Sequence, residues 1–144
     1  RASHLAIVYE LMDQRLDLAD DPYEIEGFPR VVFKKWITMT FGHNKLHQAW
    51  PRDAQEKLAE KGITELQKAF PIAVVRSAVF KRHPIIQDWL DSPYDCFDLM
   101  FIESEKIIKA MLALKRDHGA VSLPVHDSLI VSRQNESLAR AKLF

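Results

Sequence analysis

The sequence predicts an α+β domain, mostly helical, with one late antiparallel β-hairpin packed on a long helix. Three observations predict it. Apolar residues recur at helical spacing through most of the chain, in segments punctuated by Pro and Gly. Near the end, two short apolar runs, 121–125 and 128–132, are joined only by His126 and Asp127. The chain has 144 residues and is 47% hydrophobic, which suits one domain with a sizeable core and is too apolar for a disordered chain.

The first helix is expected over 4–18. Ser3 offers a capping oxygen, and Leu5, Val8, Leu11 and Met12 share a face. Pro22 disfavours helix in the residue before it, so 20–22 closes the segment. After a loop to Pro29, a second helix is expected over 30–41, with Gly42 as its stop. It carries Arg30, Lys34 and Lys35 beside Val31, Phe33, Trp36, Ile37 and Met39. The stretch 43–52 is polar and turn-like. Pro51 opens a third helix that runs through 61 and ends at Gly62. Helical segments 64–68 and 72–81 flank Pro71, and Pro84 opens a short helix with Ile85, Ile86, Trp89 and Leu90.

The longest pattern runs over 94–118 and ends at Gly119. Phe97, Phe101, Ile108, Met111 and Leu112 form its expected core stripe, widened by Met100, Ile107 and Leu114. The hairpin comes next, and a last helix starts at Asn135 or Ser137 and runs through 143. A two-stranded hairpin needs a cover for its apolar face, and the 94–118 helix is the expected one.

Charge and composition exclude several classes. Lys+Arg and Asp+Glu are 20 each, so the formal net charge is zero and any nucleic acid must be held by a local patch. A single cysteine, Cys96, excludes an internal disulfide and a Cys-based zinc site, and reads as a small buried apolar residue. No apolar run approaches the ~20 residues of a membrane span. The opening Arg1-Ala2-Ser3-His4 has no signal-peptide pattern. These features predict a soluble, cytoplasmic protein. The absence of an initial Met before an immediate helical pattern predicts a fragment of a longer chain.

The candidate chemistry centres on His126 and Asp127. An acid on a rigid turn has little freedom to lose on binding a cation, which suits a hard metal such as Mg²⁺. Asp is also an ordinary turn former, because its carboxylate accepts backbone N–H groups. Arg30 and Lys34 stand one helical turn apart and share a face. They suit the neutralisation of charge on phosphate oxygens, or simply form the solvated side of an amphipathic helix. His43 and His47 are spaced i,i+4 and could bind a metal if helical, but no third ligand is apparent and they read as polar surface. His83-Pro84 reads as a helix-opening turn, and Lys81-Arg82-His83 as a solvated charge cluster or a phosphate contact. Trp36 and Trp89 read as core, while Trp50 is also suited to base stacking.

Taken together, a helix, Gly119, a strand, the His126-Asp127 turn, a strand and a helix resemble the palm of family A DNA polymerases and phage-type single-subunit RNA polymerases. Val125-His126-Asp127-Ser128 is similar to their C motif. The resemblance implies that Asp127 is a catalytic, metal-binding carboxylate and that His126 lies near the primer terminus. Glu103-Ser104 would lie on the helix that leads into this hairpin. Arg30 and Lys34 are similar to the start of the B motif, which implies triphosphate binding, with Lys35 sharing the role. The family ends that helix in Tyr-Gly. Phe41-Gly42 stands here instead, one residue short of the family spacing, so nucleotide binding by Phe41 departs from the pattern. Ala2-Ser3-His4-Leu5 resembles the downstream half of the A motif, whose Asp would fall at or before Arg1. Asp20-Asp21-Pro22-Tyr23 resembles the loop that joins that helix to the fingers helix.

The resemblance implies one palm-and-fingers fragment over 1–144, with 20–82 fingers-like and 1–19 and 83–144 palm-like. The implied cofactor is a pair of Mg²⁺ ions held by two carboxylates, one of them expected upstream of Arg1. The implied partners are a primed template and nucleoside triphosphates, with no membrane. One carboxylate cannot hold that metal pair, so the chain as given is expected to be inactive or very weak. Two alternatives stand beside this reading. One is a polymerase-like, non-catalytic binding module of a replication or mobile-element protein. The other is a helical DNA-binding domain using 57–82 as a helix-turn-helix, which Pro71 and the neutral net charge oppose.

Overall fold

The computed structural model describes residues 3–17 and 19–143, without the side chains of Ser3 and Leu143. The capping role expected of Ser3, and the A-motif likeness at Arg1 and Ala2, fall outside what is described. The fold is mostly helical with one two-stranded antiparallel hairpin, as the sequence predicts. Contacts divide the chain into two compact units, Arg1–Cys96 and Phe97–Phe144. This division falls at residue 96, whereas the family likeness puts its fingers-to-palm boundary at 82.

The first unit contains α1 (Ser3–Leu11), α2 (Arg30–His43), α3 (Arg52–Ala59), α4 (Leu66–Ala69), α5 (Ile72–Arg82) and α6 (Ile85–Trp89). α1 stops well short of the expected residue 18. Asp13 adopts a left-handed φ of 53°, and the Gln14 N–H reaches the Tyr9 carbonyl at 2.8 Å while the Asp13 N–H reaches Glu10 at 3.1 Å. These two bonds form a Schellman turn, which satisfies carbonyls that the helix end leaves open. Its left-handed residue is usually Gly, so Asp13 gives no stop signal in the sequence. α2 errs the other way. It runs through Gly42 and ends where Asn44 takes a φ of 47° and donates its N–H to the Phe41 carbonyl. The stop expected at Gly42 is therefore not used, and this glycine sits inside the helix at a cost of about 1 kcal/mol relative to Ala. α3 behaves as its punctuation predicts, with Pro51 before its first turn and Gly62, at φ 87°, closing it.

The core of this unit is built from large side chains. Phe33, Trp36, Ile37 and Phe41 of α2 are fully buried with Val75 and Val79 of α5 and with Ile85, Ile86 and Trp89 of α6. Trp36 meets Phe80 edge-on with centroids 5.8 Å apart. Trp50 is buried too, and its indole N–H donates to the Phe70 carbonyl at 2.8 Å. This placement removes the base-stacking role that its sequence context allows. His83 is a core residue rather than only a turn. Its Nε2 donates to the Pro22 carbonyl at 2.7 Å, and its Nδ1 accepts from the Tyr9 hydroxyl at 3.0 Å. A neutral imidazole satisfies both partners, joining α1, the 20–29 loop and the end of α5.

Burial holds the His83 pKa below its ordinary value, against a smaller opposing effect of the Pro22 carbonyl. The unfolded chain therefore binds the proton more readily than the folded one. The stability that His83 contributes is whole above the ordinary histidine value and is lost as pH falls through the folded value. Acidification from pH 7.5 to 5.5 is expected to lower the Tm of the wild type more than that of His83→Gln. Parallel Tm-versus-pH curves for the two proteins would contradict a buried neutral imidazole.

The second unit contains most of α7 (Cys96–His118), then β1 (Ser122–Val125), β2 (Ser128–Val131), a 3₁₀ turn at Arg133–Asn135 and α8 (Glu136–Leu143). Gly119, at φ 64°, ends α7 as expected. The strands pair with Ser122 opposite Val131 and Val125 opposite Ser128, leaving a two-residue turn. Leu129 and Val131 pack with Leu138 against buried Leu114, Ala120 and Ala139. The hairpin is thus covered by the end of α7, as predicted, and also by α8. Asp117 ties these helices together by accepting from Arg116 at 2.7 Å and from Lys142 at 3.0 Å. The two cations hold its pKa down to about 2.

The expected core stripe of α7 holds only at its widening residues Ile107 and Leu114, with Met111 half-buried. Phe97, Met100, Phe101, Ile108 and Leu112 are exposed, and the buried positions are Leu99, Ile107, Ala110 and Leu114. Phe97 and Leu99, Ile108 and Ala110, and Leu112 and Leu114 are each offset by two residues, about 200° around the axis, while exposed Met100 and buried Ile107 lie within about 20° of each other. The helix is apolar around much of its girth, and the hairpin packs on it at Leu114, near its end. Cys96, expected to be buried, is only half-buried.

Candidate functional site

The turn at His126 and Asp127 exposes both side chains at the tip of the hairpin. His126 takes a φ of 51°. Two-residue hairpin loops need positive φ because only then does the turn follow the right-handed twist of the strands. The usual residues there are Gly, Asn or Asp, so His at this position is locally unfavourable. His126→Gly is expected to stabilise the protein by up to about 1 kcal/mol, since relief of strain exceeds the chain entropy Gly adds to the unfolded state. A fall in Tm on this substitution would show that His126 makes a stabilising contact that outweighs its backbone cost.

Among the described residues Asp127 forms no ion pair, and no group of three His, Cys, Asp or Glu side chains stands ready to hold a metal. Asp127 can therefore offer a metal one carboxylate, with water or a substrate oxygen filling other positions. Ser104 of α7 bonds back to the Phe101 carbonyl at 2.7 Å and so serves its own helix.

The basic face of α2 forms a second cluster, in the first unit. Arg30 and Lys34 both lie over the ring of buried Tyr23, at 5.4 and 5.7 Å from its centroid. The shared face predicted from their spacing is present, and beneath it lies an aromatic platform that the spacing does not reveal. Cations over a ring are attracted to its negative face. Burial pushes the Tyr23 phenol up to about 12, so it remains neutral at physiological pH. Arg30 is also paired through Nε with Asp21, whose carboxyl it holds below the usual carboxylate range. Lys35 points elsewhere and donates to Asp53 at 3.1 Å. Of the three cations, Lys34 alone forms no ion pair among the described residues.

Phe41 does not join this cluster. It is buried, with Trp89 edge-on to it at 5.6 Å, so its ring has no face to offer a nucleotide in this arrangement. Its position follows from helical geometry, since residues 33, 37 and 41 repeat every four along the buried side of α2. Asp21 and Tyr23 are legible only as loop residues, because nothing in a sequence indicates which helix face a loop will fold against. The turn and the basic cluster lie in different units. No helix among the described residues is long and apolar enough to cross a membrane. No protein-family model, no curated protein and no solved structure matches this chain.

Proposed function

We propose that this chain is part of a template-directed nucleotidyltransferase acting in the cytoplasm, in which Asp127 is a metal-binding carboxylate. The observation that carries the reading is the hairpin tip. A two-residue turn holds an exposed carboxylate beside a histidine whose backbone is in an unfavourable region. Unfavourable backbone at an exposed turn is a pointer to function rather than to stability. In such an enzyme Mg²⁺ bound at Asp127 would polarise the attacking 3′-oxygen or the leaving oxygen of an in-line phosphoryl transfer. His126 would contact the primer end. Lys34, and Arg30 once released from Asp21, would meet the triphosphate, with the Tyr23 ring beneath both cationic groups. A full two-metal centre needs a second carboxylate beside Asp127.

A second reading rests on the ion pairs. Arg30 with Asp21 and Lys35 with Asp53 are already neutralised, which favours a module that keeps this shape and binds no nucleotide. One experiment separates the two. Mg²⁺-dependent extension of a primed template is measured with this chain, and with the chain preceded by whatever residues its gene encodes before Arg1. Extension that depends on Asp127 supports the enzyme. A folded protein that extends no primed template supports the module instead.

A further inference from the structure

His43 and His47 carry a geometry that their spacing alone does not predict. His43 is the last residue of α2, and His47 lies beyond it outside any helix. Helical continuation is not what brings them together. Asn44, in the left-handed region at φ 47°, turns the chain back across the end of α2. The His43 Nδ1 and the His47 Nε2 then face each other at 2.7 Å, with ring centroids 4.8 Å apart and planes at 64°. A neutral pair holds one proton between these two nitrogens. Shifting that proton to the far nitrogen of the donor ring keeps both imidazoles neutral and leaves two lone pairs in one small volume at the surface.

The separation limits which ion fits. With metal–nitrogen bonds of about 2.0–2.1 Å, nitrogens 2.7 Å apart subtend an angle of about 80° at the metal. Tetrahedral zinc would need the nitrogens to spread to about 3.3 Å. An angle near 90° matches adjacent positions of a square-planar or octahedral ion, the geometry of copper(II) and nickel(II) with imidazole ligands. The fixed charges near His47 oppose one another, Lys45 against a cation and Asp53 for it. The site lies at the C-terminal end of a helix of 14 residues, where the aligned peptide dipoles leave partial negative charge.

We propose that His43 and His47 form a two-ligand binding site for a transition cation of the copper(II) or nickel(II) class, with water completing its coordination. The site is independent of the hairpin chemistry and uses none of its residues. Copper(II) is the probe. The untagged 144-residue chain is titrated with copper(II) chloride by calorimetry, and the loaded protein is read by electron paramagnetic resonance.

The expected result is one strong equivalent whose spectrum shows two equatorial imidazole nitrogens. His43→Gln and His47→Gln should each weaken that equivalent at least tenfold, and the double variant should abolish it. His43 is exposed and His47 half-buried, and neither belongs to the core, so circular dichroism of all three variants should match the wild type. Two results would overturn the site. One is undiminished strong binding in the folded double variant, which would place the ion at other histidines such as His118 or His126. The other is a spectrum with a single nitrogen ligand in the wild type.

Discussion

In whichever form of the protein extends a primed template, Asp127→Ala is expected on the proposed reading to lower Mg²⁺-dependent extension by about 10³-fold or more, because a metal-held oxygen would contribute several kcal/mol at the transition state and each 1.4 kcal/mol is tenfold in rate. Stability should move little. Asp127 is exposed at a turn tip, and surface substitutions of that kind usually stay within about 0.5 kcal/mol. The pairing of a large rate loss with an unchanged Tm separates metal binding from folding. Asp127→Asn sharpens the test, since the amide keeps the turn chemistry and removes only the charge. If Asn and Ala variants both extend primers at the wild-type rate, the carboxylate has no part in the reaction, and the hairpin is architecture.

Trp89→Ala is expected to cost about 3–5 kcal/mol, the range for emptying a buried large aromatic site. Total stabilities are commonly about 5–15 kcal/mol, so this substitution alone brings the first unit near its unfolding threshold. The reason is local. Trp89 has no exposed surface. One edge meets Phe41 at 5.6 Å, and Tyr94 lies parallel to it at 6.5 Å. Losing the indole leaves a void between α2 and α6 that neither ring can fill without leaving its rotamer. Urea denaturation would measure the loss. A change below about 1 kcal/mol would mean that Phe41 is not packed as described, and would return its ring to consideration as a nucleotide contact.

Element types are legible wherever Pro or Gly punctuates the chain. Pro51, Pro71, Pro84, Gly62 and Gly119 all mark boundaries within a few residues of the observed ones. The misplaced ends of α1 and α2 share one cause. Asp13 and Asn44 enter the left-handed region without being glycine, and neither residue differs on paper from the Asp and Asn of any polar loop. The hairpin is legible because nothing but a two-residue turn fits between its strands.

The buried side of α7 is legible only at Ile107 and Leu114, since the Phe97–Phe101–Ile108–Leu112 set and the Leu99–Ile107–Ala110–Leu114 set both recur at helical spacing. Only the packing partner selects between them. At the candidate site, the shared face of Arg30 and Lys34 can be read from their separation. The ion pairs that occupy Arg30 and Lys35 cannot, because Asp21 and Asp53 reach them through tertiary folding.

The hairpin is greasy on both sides: Leu129 and Val131 face the core, while Leu123, Val125 and Ile130 face outward. In most half-buried ribbons a one-residue slip would push oily side chains into water, and that penalty fixes the alignment. Here a slip exchanges one oily set for another, so the strands have little sense of which way up they belong. Alignment must then be imposed from the tip, by a corner short enough to admit only one pairing. The residue that permits so tight a corner is His126, and the one it delivers to the apex is Asp127. The alignment of the strands and the proposed metal carboxylate share a single dipeptide, and lengthening that corner would blur both at once.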